Sequence, residues 1–160
     1  MNISLELLLI IILAILCYQD IKERKVSLFI LVLGIVVGGF THYLNQEITI
    51  FLYNILVNSL FVMIVFGILI AYSKWKMKTK IFDVFGVGDL FFFILLAVSL
   101  PILSFLIVFI FSLIFSLAIF ISLKKRFKDS SVPLAGLQSL FFIIVLLFNR
   151  IVKNLDLYSM

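Results

Sequence analysis

Apolar residues in this chain fall in long blocks and do not alternate with polar ones. Ile48 to Tyr72 and Phe91 to Leu123 contain no charged residue, and an apolar run of about 18 or more reads as a membrane-crossing helix. Five polar or charged interruptions break the pattern: Lys22-Glu23-Arg24-Lys25, Asn45-Gln46-Glu47, Ser73 to Lys80, Ser99-Leu100-Pro101 and Lys124 to Ser131. The blocks between them predict six helices, at about 3–18, 28–43, 48–72, 90–100, 102–123 and 133–149. The fourth is short. Eleven residues at 1.5 Å each cover only about 16 Å of a hydrocarbon layer about 30 Å thick.

The charges decide how to count it. The first, third and fifth interruptions hold Lys22, Arg24, Lys25, Lys74, Lys76, Lys78, Lys80, Lys124, Lys125, Arg126 and Lys128, which is 11 of the 13 Lys and Arg residues. The positive-inside rule assigns all three to the cytoplasm. The chain then crosses an even number of times between Lys80 and Lys124, with a turn near Pro101. The predicted fold is all-α, a polytopic integral membrane protein of six transmembrane helices with both termini outside. Arg150 and Lys153 fall on the outer side in this arrangement, a departure from the rule. No repeat or second domain is visible, so 1–160 reads as a single membrane-embedded domain.

Composition agrees. The chain is 65% hydrophobic and 13% charged, with mean hydropathy +1.35, against about 25% charged in a soluble domain. The net charge of +5 is concentrated between apolar runs, which is a topology signal and not a nucleic-acid footprint. One cysteine, Cys17, excludes an internal disulfide and a Cys-x-x-Cys zinc site. The N-terminus lacks the basic n-region and small-residue cleavage site of a removed signal peptide. His42 falls on the outer side with no partner cluster, so no metal site is expected.

A carboxylate at membrane depth is costly unless paired, hydrated or protonated, so such residues are functional candidates. Glu6, Glu47, Asp129 and Asp156 read as residues of helix ends or polar loops, and Glu23 lies among basic neighbours. Asp20, Asp83 and Asp89 remain. Asp20 follows the first apolar run. Asp89 sits in Gly86-Val87-Gly88-Asp89, ahead of Leu90-Phe91-Phe92-Phe93. Capping a helix start would explain Asp89 alone, but not the two glycines. These permit positive φ and close backbone approach, which suits a peptide laid beside the loop. Asp20 ends an outside-to-inside helix and Asp89 begins an inside-to-outside one, so both lie at the cytoplasmic end at similar depth. Two such carboxylates brought together would share a proton and titrate as a coupled pair, as in aspartic proteases. Lateral proximity does not follow from the sequence.

Asp20 after the first helix, the G-x-G-D of Gly86 to Asp89 opening the fourth, and Val132-Pro133-Leu134-Ala135-Gly136 opening the sixth together resemble the type IV prepilin peptidases, G-x-G-D intramembrane aspartic proteases. The resemblance spans nearly the whole chain. It implies removal of the short leader from type IV prepilin-like, Flp/Tad or preflagellin-like proteins at the cytoplasmic face of the cell membrane. Asp20 and Asp89 match the catalytic pair. Gly86, Gly88, Pro133 and Gly136 match segments that shape the loop or line the substrate cleft, although Pro133 and Gly136 read equally as an ordinary helix start with Pro at the first position. Asp83, six residues before Asp89 in the same loop, reads as a solvated loop anion or a modulator of the pair.

Two departures bear on substrate range. Val26-Ser27-Leu28 stands where the family commonly has Ile/Val-Pro-Asn, and Phe91 where a lysine often follows. Longer family members carry an N-terminal cytoplasmic part with Cys-x-x-Cys pairs and also N-methylate their product. This chain begins with its first helix, so peptidase activity without methyltransferase is expected, with no cofactor. The expected partners are single-helix prepilin-like substrates and membrane lipid, with no nucleic acid. The competing class is a non-enzymatic transporter or assembly factor that uses buried carboxylates for protons or a cation.

Overall fold

In an apolar solvent a continuous stretch can satisfy its own backbone groups only as a helix, and that is the form the apolar blocks take. The computed structural model describes residues 3–73, 75, 86–123, 132–151 and 157–158. Among them are six α-helices: α1 Ile3–Glu23, α2 Leu28–Leu44, α3 Ile48–Tyr72, α4 Val87–Ser99, α5 Ile102–Leu123 and α6 Leu134–Ile151. Four of these, α1, α3, α5 and α6, are long and apolar enough to cross a membrane, whereas α2 and α4 are shorter apolar helices. The protein is thus all-α and of membrane type. Asp83, the lysines between 74 and 80, and the basic cluster 124–128 lie outside the described residues.

Two helix ends differ most from the sequence expectation, and both differences move a carboxylate. The first helix does not stop at Tyr18 but continues to Glu23, because nothing from Gln19 to Glu23 breaks a helix. It ends where Arg24 turns left-handed, at φ 54°, with its N–H donating to Asp20 O at 3.2 Å. Asp20 is therefore in the last turn of α1, not beyond it. The fourth helix starts earlier than expected, at Val87, with extended Gly86 (φ −67°, ψ 143°) as its N-cap. Asp89 is in its first turn. No described glycine has positive φ, so positive φ is not why glycines flank Asp89. The sixth helix begins at Leu134 and runs to Ile151, with Pro133 just ahead of it.

The short α4 is the centre of the bundle, in contact with α2, α3, α5 and α6. Phe92, Phe93, Leu95, Leu96 and Ala97 of this helix are all buried. Its 13 residues span only about 20 Å. Its C-terminal end is enclosed by protein, with Ser99 and Leu100 both fully buried, whereas Val87 at its start is exposed. Asn58 of α3 donates from Nδ2 to Ala97 O and Leu100 O, both at 2.9 Å. His42 of α2 donates from Nδ1 to Val98 O at 2.9 Å, which leaves Nε2 to accept from Asn54 at 3.4 Å. The carbonyls that a helix end leaves unpaired are thus met from two neighbouring helices. His42 is buried (0% exposed) and has a capping role.

Glycine sets the α2–α4 distance. A Cβ on Gly34 would lie 2.7 Å from Leu95 Cδ1, one on Gly38 1.9 Å from Ser99 Oγ, and one on Gly39 2.7 Å from Val98 Cγ1. Gly34 and Gly38 form a G-x-x-x-G pair, the small-residue spacing that lets membrane helices pack closely. Edge-to-face rings join α3, α4 and α5: Phe61 with Phe105 and Phe109, and Phe93 with Phe109, at centroid distances of 5.8, 5.7 and 5.0 Å. By contrast α3 buries just Asn54, Asn58 and Val62 among its described side chains and turns apolar residues such as Met63 outward. Glu6, read from sequence as a helix-end residue in reach of water, is buried at 3% exposure.

Candidate active site

The end of the bundle opposite His42 gathers the C-terminal turn of α1 and the N-terminal turns of α4 and α6. A helix start has backbone N–H groups with no partner of its own. In α6 two of these, on successive residues, are taken by carboxylates from other helices. Gly136 N–H donates to Asp20 Oδ2 at 2.6 Å, and Ala135 N–H donates to Asp89 Oδ1 at 3.0 Å. Successive amide nitrogens in a helix are about 2.8 Å apart, which holds the two accepting oxygens within roughly 8 Å of each other. Asp20 is 8% exposed, and Asp89 is partly buried.

Each carboxylate is placed by local structure. The other oxygen of Asp89, Oδ2, accepts from Gly86 N–H at 3.2 Å, while Asp89 N–H donates to Gly86 O at 3.1 Å. This reciprocal pair fixes the side chain at the helix start, in the manner of a capping box. Asp20 is fixed by its position in α1 and by the turn after it. There Gln19 Oε1 accepts from Ser27 N–H at 3.1 Å, drawing residues 24–27 back over the end of the helix.

The candidate glycines act through close approach. A Cβ on Gly136 would lie 2.9 Å from Asp20 Cβ, 3.1 Å from Asp20 Oδ2 and 3.3 Å from Cys17 O, so α1 and α6 could not meet as they do. A Cβ on Gly88 would press on Val26 at 3.3 Å, and one on Gly86 would lie 3.3 Å from Asp89 Oδ2. Pro133 is buried, and its carbonyl accepts the first bond of α6, from Leu137 N–H at 3.1 Å. Of the residues singled out from sequence, Asp20, Asp89, Gly86, Gly88, Pro133 and Gly136 thus fall in one neighbourhood. Asp83 lies outside the described residues.

Sequence reasoning missed Ala135, which contributes only its backbone and so has no side-chain signature. It also missed Gln19 and Gln138; the latter follows Gly136 by two residues and was visible as a polar interruption of an apolar helix. An open apolar groove of about 550 Å³ runs between α1 and α6, lined by Ala14, Cys17, Tyr18, Ile21, Leu140 and Ile143 and bordered by Lys22. The Lys22 amine donates to Tyr18 OH and lies 4.8 Å from the centre of its ring.

Chemically, two carboxylates gathered at one helix start can bind a cation, relay a proton or activate water. Backbone donors and the positive end of α6 favour negative charge there, while the like charge of the partner opposes it. Compared with known proteins, the chain matches no family model, no curated protein and no solved structure.

Proposed function

We propose that this protein is an intramembrane aspartic endopeptidase that removes the short leader of prepilin-like single-helix membrane proteins. In this reading the chain crosses the membrane six times, both termini face outward, and the carboxylates work at the cytoplasmic face. One observation carries the proposal: Asp20 and Asp89, from opposite parts of the chain, meet on the adjacent amides of Ala135 and Gly136. Inert caps would need no such pairing, since one carboxylate can serve a helix start without a second beside it.

The mechanism follows from the pair. One carboxylate, ionised, takes a proton from water as the water attacks the scissile carbonyl. The other, protonated, donates a hydrogen bond to the carbonyl oxygen and stabilises the charge that develops there; when the tetrahedral adduct collapses, the C–N bond breaks and the first carboxylate passes the proton it took from water to the leaving amine. The substrate's apolar helix lies in lipid and reaches the site from the side, and its basic leader stays in the cytoplasm. Peptide bonds in a helix are shielded, so the cleaved segment must unwind. A glycine at the cut lowers that cost by roughly 1 kcal/mol relative to alanine. Orientation follows the basic clusters, which draw their loops to the cytoplasmic, anionic leaflet.

The test is co-expression with a prepilin-like substrate and measurement of the product's mass. Wild type should release the leader. Asp20→Asn and Asp89→Asn should not, although both should insert and fold, because the asparagine side-chain oxygen still accepts the α6 amide. Asp83→Asn should retain substantial activity. Leader removal at the wild-type rate by either dyad variant would refute the assignment.

A further inference from the structure

Gln138 of α6 is fully buried, at 0% exposure, and neither its Nε2 nor its Oε1 has a hydrogen-bond partner among the described residues. A buried carboxamide left in this state destabilises the fold that carries it. Buried serines of α5 and α6 are not in that state. Ser139 Oγ donates to Ala135 O at 2.6 Å, and on α5 Ser112 and Ser116 donate to Phe109 O and Ser112 O at 2.9 and 2.7 Å.

Helical spacing locates the amide. Gln138 stands one turn after Ala135, whose N–H holds Asp89 of α4. It stands one turn before Phe141, whose ring centre is 5.3 Å from that of Phe115 on α5. It therefore lies on the side of α6 that meets α4 and α5. Side chains on a helix lean toward its N-terminus, and here that direction leads to the turn that binds both carboxylates. A carboxamide offers one donor face and one acceptor face. The group that complements both is another amide, and an unwound peptide segment beside the dyad presents amides whose own helical bonds are broken.

We propose that Gln138 is a substrate-contacting residue whose side chain pairs with a main-chain peptide group of the unwound segment next to Asp89. This rests on the peptidase reading above. Because Gln138 is enclosed in the empty protein, the contact requires the first turn of α6 to draw back from α4. The same movement would release Asp89 Oδ1 from Ala135 and free it for the reaction.

The experiment compares full-length wild type with Gln138→Leu and Gln138→Met, purified and reconstituted, using a prepilin-like single-helix peptide with a short basic leader. Each variant removes the unpaired amide at nearly constant volume. The expected result is a higher melting temperature together with a fall in kcat/KM of about tenfold or more. Two variants guard against one failing to pack. Wild-type kcat/KM in either folded variant would overturn the inference. A lowered melting temperature in both would also overturn it, since the amide would then already be satisfied in the empty protein. Failure of the peptidase reading looks different: wild type itself would leave the peptide uncut.

Discussion

Asp20 and Gly136, 116 positions apart in the chain, meet at 2.6 Å as carboxylate and backbone amide. Glycine is the residue that allows this, because the position a Cβ would take is 2.9 Å from Asp20 Cβ and 3.3 Å from Cys17 O. Neither of those atoms is the free end of a flexible side chain. The contact between α1 and α6 and the placement of one carboxylate of the pair therefore depend on the same missing methyl group.

Gly136→Ala should accordingly separate α1 from α6 by a few tenths of an ångström and lengthen the Asp20 bond. We expect a stability loss of about 1–3 kcal/mol, seen as a lower melting temperature in detergent. Leader removal should fall by more than the folded fraction does. Full processing at unchanged stability would show that the close approach is not needed.

Gly88→Ala and Gly86→Ala should be milder. The added methyl would press on Val26 at 3.3 Å in the first and on Asp89 Oδ2 at 3.3 Å in the second, and both neighbours can yield slightly. Processing rates across the three alanine variants should rank Gly136→Ala as the most damaged. Gly86→Ala, whose methyl touches a carboxylate oxygen, should lose more activity than stability.

The α2–α4 seam gives a prediction that does not involve the carboxylates. Gly38→Val would displace Ser99 Oγ, which donates to Leu95 O at 2.6 Å, and would push α4 away from α2. A loss of about 1–3 kcal/mol or more is expected, and thermal unfolding in detergent measures it. Gly67→Val on α3, where a Cβ meets nothing within 4 Å, is the matched control and should be nearly neutral.

Asn58→Leu should strip partners from Ala97 O and Leu100 O at the end of the short central helix. Each buried carbonyl left unpaired costs about 1–3 kcal/mol, so unfolding should shift to clearly lower temperature. Hydrogen exchange near the end of α4 should accelerate. Unchanged exchange there would mean that lipid or water replaces Asn58 without penalty.

Topology can be tested separately. With the one cysteine, Cys17, replaced, single cysteines at Lys25 and Gly86 should be labelled from the same side of the membrane, and one at Asn45 from the other. Labelling of Lys25 and Gly86 from opposite sides would dismantle the carboxylate pair as well as the six-crossing arrangement.

Much of the helical plan was legible along the chain, because charge cannot stay in lipid and its interruptions mark where helices end. The same reasoning selected Asp20 and Asp89, whose cost at membrane depth demands an explanation. It misjudged their setting by a few residues. Apolarity ends at Tyr18, but helix propensity continues to Glu23, and lipid contact and helix formation are governed by different energies.

Hydropathy by itself determined that this is an all-helical protein of membrane type and which carboxylates stand out. Lateral neighbours were decided by the tertiary structure alone. The pairing of Asp20 with Asp89 runs through the backbone amides of Ala135 and Gly136, and a backbone amide is the same in every sequence. Likewise, the helix expected at 90–100 covered too little of the hydrocarbon layer; the helix formed has 13 residues, and the partners of its last carbonyls, Asn58 and His42, come from other helices. Sequence periodicity reports which side of a helix is apolar, but which helix lies against that side depends on the packing of all six together.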